Sequence, residues 1–195
     1  MEVRSPLDAV PERLLARGGD VTAAFIEKDV TTLREAFEFI WQLPYGRNSM
    51  PENPIAPLAE GRGTCSTKHA LLARLLAEQG VAAELRLGIY EMSEANTPGV
   101  GAVLAGSGLD HVPEAHCYLA FHGRRVDVSR RGGEGSEPIG HFLHEETIGP
   151  DDIGDYKRTM HHRFIDAWAT TPGARGLSGD AIWAIREACI AALTQ

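Results

Sequence analysis

Residues 61–80 read GRGTCSTKHALLARLLAEQG. Leu71, Leu72, Leu75 and Leu76, with the alanines between them, cover most of the circumference of a helix, so residues 65–79 form a buried, central one that stops at Gly80. With Thr64 as the N-cap, Cys65 takes the first helical position, and Gly61 and Gly63 leave the approach free of side chains. A helix N-terminus carries partial positive charge and unpaired N–H groups, which push a thiol there toward thiolate and offer donors for an oxyanion. A cysteine also serves as a small buried apolar residue. The catalytic reading therefore needs a base within reach of Cys65 and a group that orients the base.

Downstream, residues 83–90 alternate Ala83, Leu85, Leu87 and Ile89 with Glu84, Arg86, Gly88 and Tyr90, the period of a strand with one covered face. Residues 91–114 are irregular, with one short helix around 100–105, and are long enough to form a lid or pocket wall. AHCYLAFHGRRVDVS, 115–129, reads as a hairpin turning at His122-Gly123. A two- or four-residue loop there sets residue 119 opposite 126 and 117 opposite 128, so Cys117, Leu119, Phe121, Val126 and Val128 share the apolar face, whereas a three-residue loop would put Asp127 among the hydrophobes. His116 and Tyr118 then share the other face with Asp127 and Ser129, His116 diagonal to Asp127. The plainer alternative is a surface histidine and a solvated strand aspartate.

Upstream, Leu33, Ala36, Phe37, Ile40 and Trp41 mark an amphipathic helix ended by Pro44, followed by a proline-rich loop over 44–57. The C-terminal third reads as two helices. One carries Ile153, Tyr156, Met160, Phe164 and Trp168 on one face; the other follows Ser178 with Ile182, Ile185, Cys189 and Leu193. Helices flanking a small, mostly antiparallel sheet make an α+β chain.

Three blocks together resemble the transglutaminase-like superfamily of papain-type cysteine enzymes: Gly63-Thr64-Cys65 opening the helix that ends Leu76-Ala77-Glu78-Gln79-Gly80, Glu114-Ala115-His116-Cys117-Tyr118-Leu119, and Gly123-Arg124-Arg125-Val126-Asp127. The resemblance spans residues 40–130. It implies a papain/transglutaminase-like core, with a central helix packed on a small antiparallel sheet and N- and C-terminal helices flanking it. In domain terms this is one domain over 1–195, its core about 31–130 and a helical extension about 141–195. The resemblance further implies Cys65 as nucleophile, His116 as general base and then acid, and Asp127 as the group orienting the imidazole. Ser66-Thr67 after the nucleophile and Cys117 after the histidine depart from common family patterns. For a second oxyanion donor or substrate contact, Gln42 and Tyr45 are candidates, with Asn48 beside them and Thr64 at the helix start.

The chain of 195 residues carries 19 basic and 27 acidic side chains, a net of −8, with the basic ones scattered, which speaks against nucleic-acid and membrane partners. The charged N-terminal stretch argues for a cytoplasmic protein. Cys65, Cys117 and Cys189 are too widely spaced for a disulfide framework or structural zinc, and Cys117 and Cys189 read as core residues. Lys68 lacks the Gly-Lys-Ser/Thr ending of a phosphate loop, and Gly99-Val100-Gly101 is no dinucleotide fingerprint. Cys65, His69 and His116 form a weak metal set. His141, His144, His161 and His162 read as surface or helix-terminal residues. No metal, calcium or other cofactor is expected. The leading expectation is a thiol enzyme acting on an amide or peptide carbonyl of a peptide, protein or small amide, through a thioester, with a peptidase or amidase ranked ahead of a cross-linker. The alternative is a catalytically inactive module of the same fold that binds a peptide or protein.

Overall fold

The structure, a computed structural model, describes residues 5–121, 123–130 and 139–193. Among them are helices α1 (Asp20–Ile26), α2 (Leu33–Gln42), α3 (Ala56–Glu60), α4 (Cys65–Glu78), α5 (Gly101–Gly106), α6 (Asp155–Trp168) and α7 (Gly179–Ala192). The strands are β1 (Glu84–Met92), β2 (Val112–Phe121), β3 (Arg124–Val126) and β4 (His144–Ile148). They form one antiparallel sheet in the order β3-β2-β1-β4, with α4 packed against it. The α+β class read from the sequence is the observed one. No helix among the described residues is long and apolar enough to cross a membrane. The described residues gather into two compact units, one drawn from 5–86, 117–130 and 147–154, the other from 87–116, 139–146 and 155–193.

In the first unit, α4 is the hub, and both of its ends are built by side chains. At its start Thr64 and Thr67 form a reciprocal cap: the Thr67 N–H donates to Thr64 Oγ1 at 3.4 Å and the Thr64 N–H donates to Thr67 Oγ1 at 3.0 Å. At its end Gly80 adopts φ 65, and the N–H groups of Gly80 and Val81 return to the carbonyls of Ala77 and Leu76. That left-handed turn is one only glycine enters without strain. Glu78 and Gln79 then hold the N-terminal segment. The Glu78 carboxylate accepts from the N–H groups of Val21 and Thr22, capping α1, while Gln79 exchanges hydrogen bonds with both backbone groups of Ala16. Leu71, Leu72, Leu75 and Leu76 are at most 1% exposed, as the all-round apolar pattern requires. On α2, Leu33, Ala36, Phe37 and Ile40 are fully buried behind a Thr32–Glu35 capping box. The loop over 44–57 runs into α3, a turn of helix the sequence reading lacks.

The hairpin has the expected register: Leu119 pairs with Val126 and Phe121 with Arg124. Cys117, Leu119, Phe121, Val126 and Val128 are all at most 1% exposed, the apolar face anticipated from alternation. His122, placed at the turn by the sequence reading, lies outside the described residues.

In the second unit four expectations need correction. β1 is covered on both faces from Leu87 to Tyr90, because the Phe142 ring occupies the space a Cβ at Gly88 would fill, and Tyr90 packs edge-on against Phe142. Residues 141–195 are not wholly helical, since β4 precedes α6. On α6 the buried residues are His161 and Ile165, whereas Tyr156, placed on the apolar stripe, is 48% exposed. His161 is thus a core residue: its ring meets Trp183 edge-on and its Nε2 lies 2.9 Å from the Pro113 carbonyl. Burial pulls His161 down to about 4, so the ring is neutral and donates from Nε2. Cys189 is buried on α7 as expected.

Arg186 of α7 lies beside it and grips Glu114 of β2 with two bonds, Nε to Oε2 at 2.5 Å and Nη2 to Oε1 at 2.6 Å, and also pairs with Glu187. Burial would raise the Glu114 carboxyl, but the Arg186 charge and its hydrogen bonds outweigh it and hold the group at about 2. The guanidinium thus joins a buried carboxylate, Glu114, to a half-buried one, Glu187.

Candidate functional site

Cys65 is the first residue of α4 and is 4% exposed. Its backbone N–H lies in the first turn of the helix, and Ser66 Oγ lies 3.8 Å from its Sγ. Gly63 sits where a Cβ would come within 2.9 Å of Lys68 Cγ and 3.0 Å of Thr67 Oγ1, which explains a side chain's absence from the turn before Cys65. The glycine makes room for Lys68 and Thr67 rather than for an incoming substrate.

Asp127 follows directly on β3 and is held in one orientation. Its Oδ1 accepts from the Ser129 hydroxyl at 2.7 Å and the Ser129 N–H at 3.1 Å, while Oδ2 accepts from Arg125 Nη2 at 3.1 Å. Arg125 in turn lies over the Tyr118 ring, 4.4 Å from its centroid. Tyr118, Arg125 and Asp127 therefore share the face opposite the Cys117–Val128 apolar set, as the register anticipates. Ser129 and Arg125 thus occupy three lone-pair positions of the Asp127 carboxylate and fix its orientation.

His69, one turn along α4 from Cys65, is fully buried and satisfied at both ring nitrogens. Nε2 accepts from the Val128 N–H at 3.0 Å, so the ring proton is on Nδ1, which donates to the Cys65 carbonyl at 2.7 Å. The Asp127 Oδ1 lies 3.8 Å from Nε2, but that nitrogen already accepts a proton donor and makes no ion pair with it. This removes His69 from the metal set considered from sequence. Among the described residues no three His, Cys, Asp or Glu side chains are grouped as ligands for an ion.

Lys68, which completes no phosphate loop, has a structural place instead. It is fully buried, and Nζ donates to the carbonyls of Leu43 at 2.6 Å and Ser129 at 2.9 Å. Burial pulls its ammonium down to about 8 against the opposing influence of Cys65 and Asp127. The signal that finds it is the helix pattern itself: a lysine on a helix apolar nearly all round has no solvent-facing side to occupy.

The upstream candidates separate. Tyr45 lies in a strip of backbone joined to the turn before Cys65, with Gly46 N–H donating to Gly63 O and Gly63 N–H donating to Pro44 O, each at 3.2 Å. Gln42 is the exposed last residue of α2. Asn48 is committed to structure, donating to Arg62 O at 2.9 Å and accepting from the Thr67 hydroxyl at 2.7 Å. Thr64 is committed to the helix start: its side chain and N–H make the cap with Thr67, and its carbonyl accepts from the Lys68 N–H. In the second unit, His116 is 7% exposed on β2 and meets the Tyr90 ring edge-on at 5.9 Å, while the Tyr90 hydroxyl is bonded to Thr97. Two residues before it on the same face of the strand stands Glu114, anchored by Arg186. Comparison of the chain with protein families, with curated proteins and with solved structures finds no match.

Proposed function

We propose that this chain is a cysteine-nucleophile enzyme of transglutaminase-like type, acting on an amide or peptide carbonyl. The observation that carries the reading is Cys65 at the first position of a capped, buried helix, in the same compact unit as a carboxylate, Asp127, held ready by Ser129 and Arg125. Alternation along β2, which gives His116 the face of Tyr118, supports the histidine's role.

In this reading His116 takes the proton of the Cys65 thiol, and the thiolate attacks the carbonyl carbon. The C=O π pair moves to oxygen, where the first-turn N–H groups of α4 stabilise the charge. Collapse of the adduct breaks the C–N bond, and His116 returns its proton to the departing amine, leaving a thioester on Cys65. Water or an amine, deprotonated by His116, then attacks the thioester and releases the thiol. Asp127 fixes the imidazole's tautomer and stabilises its charged form.

A panel of peptidyl amides and activated esters, quenched in acid and mapped by mass, tests the scheme. The expected product is an acyl adduct on Cys65 that is absent from Cys65→Ser and reduced about a hundredfold or more in His116→Ala. Adducts spread equally over Cys65, Cys117 and Cys189 would overturn it. A second reading, a binding module, is favoured by one feature: segment 91–114 lines an open recess formed by Glu94, Leu104, Leu109, Asp110 and Arg175. A peptide bound there with no acylation of Cys65 would favour that reading.

A further inference from the structure

Lys68 is the one fully buried charge of α4, and both of its hydrogen-bond partners are carbonyl oxygens rather than carboxylates. Burying an ammonium without an anion is costly, and replacing such a group by an apolar side chain of similar length is often neutral or stabilising. Retention of the charge here calls for an account beyond packing. Its surroundings supply one. Cys65 stands three positions earlier on α4, on the same helical face. Ser129, whose carbonyl Lys68 holds, is also the residue whose N–H and hydroxyl fix Asp127. Leu43, the other partner, begins the strip that Pro44 and Gly46 pair to Gly63. One ammonium therefore ties together the three backbone segments that carry Cys65, Asp127 and Tyr45.

We propose that Lys68 is a positioning residue, whose buried ammonium favours the Cys65 thiolate that forms when His116 takes the thiol proton, and fixes the segment that presents the Asp127 carboxylate. This rests on the reading of Cys65 as a nucleophile. The titratable groups acting on Lys68 are Cys65 and Asp127. Of the other charged or titratable neighbours, His69 is held neutral by its bonds to Val128 and Cys65, and Arg125 is paired with Asp127. The ammonium and the thiolate thus stabilise each other, and the coupling must be equal in both directions.

The test is the rate of Cys65 carbamidomethylation against pH in the full chain, with adducts located by mass, for the wild type, Lys68→Met and Lys68→Gln. The wild-type curve is expected to have its midpoint below the ordinary thiol value of about 8.5, and the neutral variants to shift it upward by about one pH unit or more. A shift absent from both variants, with the wild-type midpoint still low, overturns the role of Lys68 and leaves the nucleophile standing. An ordinary wild-type midpoint overturns the nucleophile reading and this role with it.

A second measurement needs no change at Lys68. The chain has three lysines, Lys28, Lys68 and Lys157, so side-chain carbon-13 labelling gives a resolved titration for each. In Cys65→Ser the Lys68 midpoint is expected to fall by the amount the thiol midpoint rises in Lys68→Met. An unmoved Lys68 midpoint overturns the coupling.

Discussion

At the residue scale, the start of α4 is a packing problem solved by one missing side chain. The backbone at Gly63 is not among the positive-φ positions, so conformational freedom does not require glycine there. Space does, because a methyl group would press on Lys68 Cγ at 2.9 Å and Thr67 Oγ1 at 3.0 Å. Gly63→Ala is therefore expected to cost about 1–3 kcal/mol in urea unfolding, the usual penalty for overpacking a tight site. A variant as stable as the wild type would show that the neighbouring side chains yield freely. The place of Cys65 at the helix start was legible in the sequence because a polar, glycine-flanked cap followed by an apolar run reads as a helix N-terminus. For Lys68 the all-round apolar helix signals burial, but not what holds the ammonium there, because its partners are the carbonyls of Leu43 and Ser129, and a carbonyl leaves no trace in a sequence. His69 was ambiguous for the same reason: the Cys65 carbonyl and the Val128 N–H that satisfy it belong to any residue type.

At the scale of elements, legibility follows burial. The hairpin register was readable because a slip of one residue would turn Cys117, Leu119 and Val126 out of the core. β4 was not, since His144-Glu145-Glu146-Thr147 are polar, largely exposed edge residues and only Ile148 is buried. The second covered face of β1 depends on Phe142, some fifty residues later, and so no local pattern announces it. The same distance hides the link between α7 and β2. There Arg186 is 9% exposed and Glu114 4% exposed, and each satisfies the other. Arg186→Met leaves a buried carboxylate without its cation and is expected to destabilise the fold by about 3–5 kcal/mol, whereas Arg186→Met combined with Glu114→Gln is expected to recover a large part of that loss. Denaturant unfolding of these two variants and of Glu114→Gln alone closes the cycle. A single variant within about 0.5 kcal/mol of wild type would mean that Glu114 draws its stabilisation from elsewhere.

For the whole molecule, the net charge of −8 was legible at once, but the groups that govern its response to pH were not, because they are buried. Two of them act on the acid side. His161 is held neutral by burial, down to about 4, so below its ordinary value of 6.5 the unfolded chain binds a proton that the folded one refuses. Stability is therefore lost as pH falls from 6.5 toward 4. Glu114, held down to about 2 where burial alone would raise it, acts in the next window: its stabilisation is present above 4.5 and is lost as pH falls toward 2. Each displacement corresponds to about 3 kcal/mol at 1.36 kcal/mol per unit. On the alkaline side two groups oppose each other. Lys68, lowered by burial to about 8, favours the fold increasingly as pH rises from 8 to 10.5, while Cys189, raised by burial to about 11, favours it less as pH rises from 9 to 11. The expected profile is steep below neutral pH and nearly flat between 9 and 10.5. Urea midpoints followed by tryptophan fluorescence read it, since Trp183 lies edge-on to the His161 ring and is stacked against His162. His161→Gln, whose amide keeps a donor for the Pro113 carbonyl, is expected to flatten the slope between pH 6.5 and 4.5 and leave the slope below it in place. A midpoint unchanged from pH 7 to 5 in the wild type, or an unaltered slope in His161→Gln, would assign the acid response to other groups.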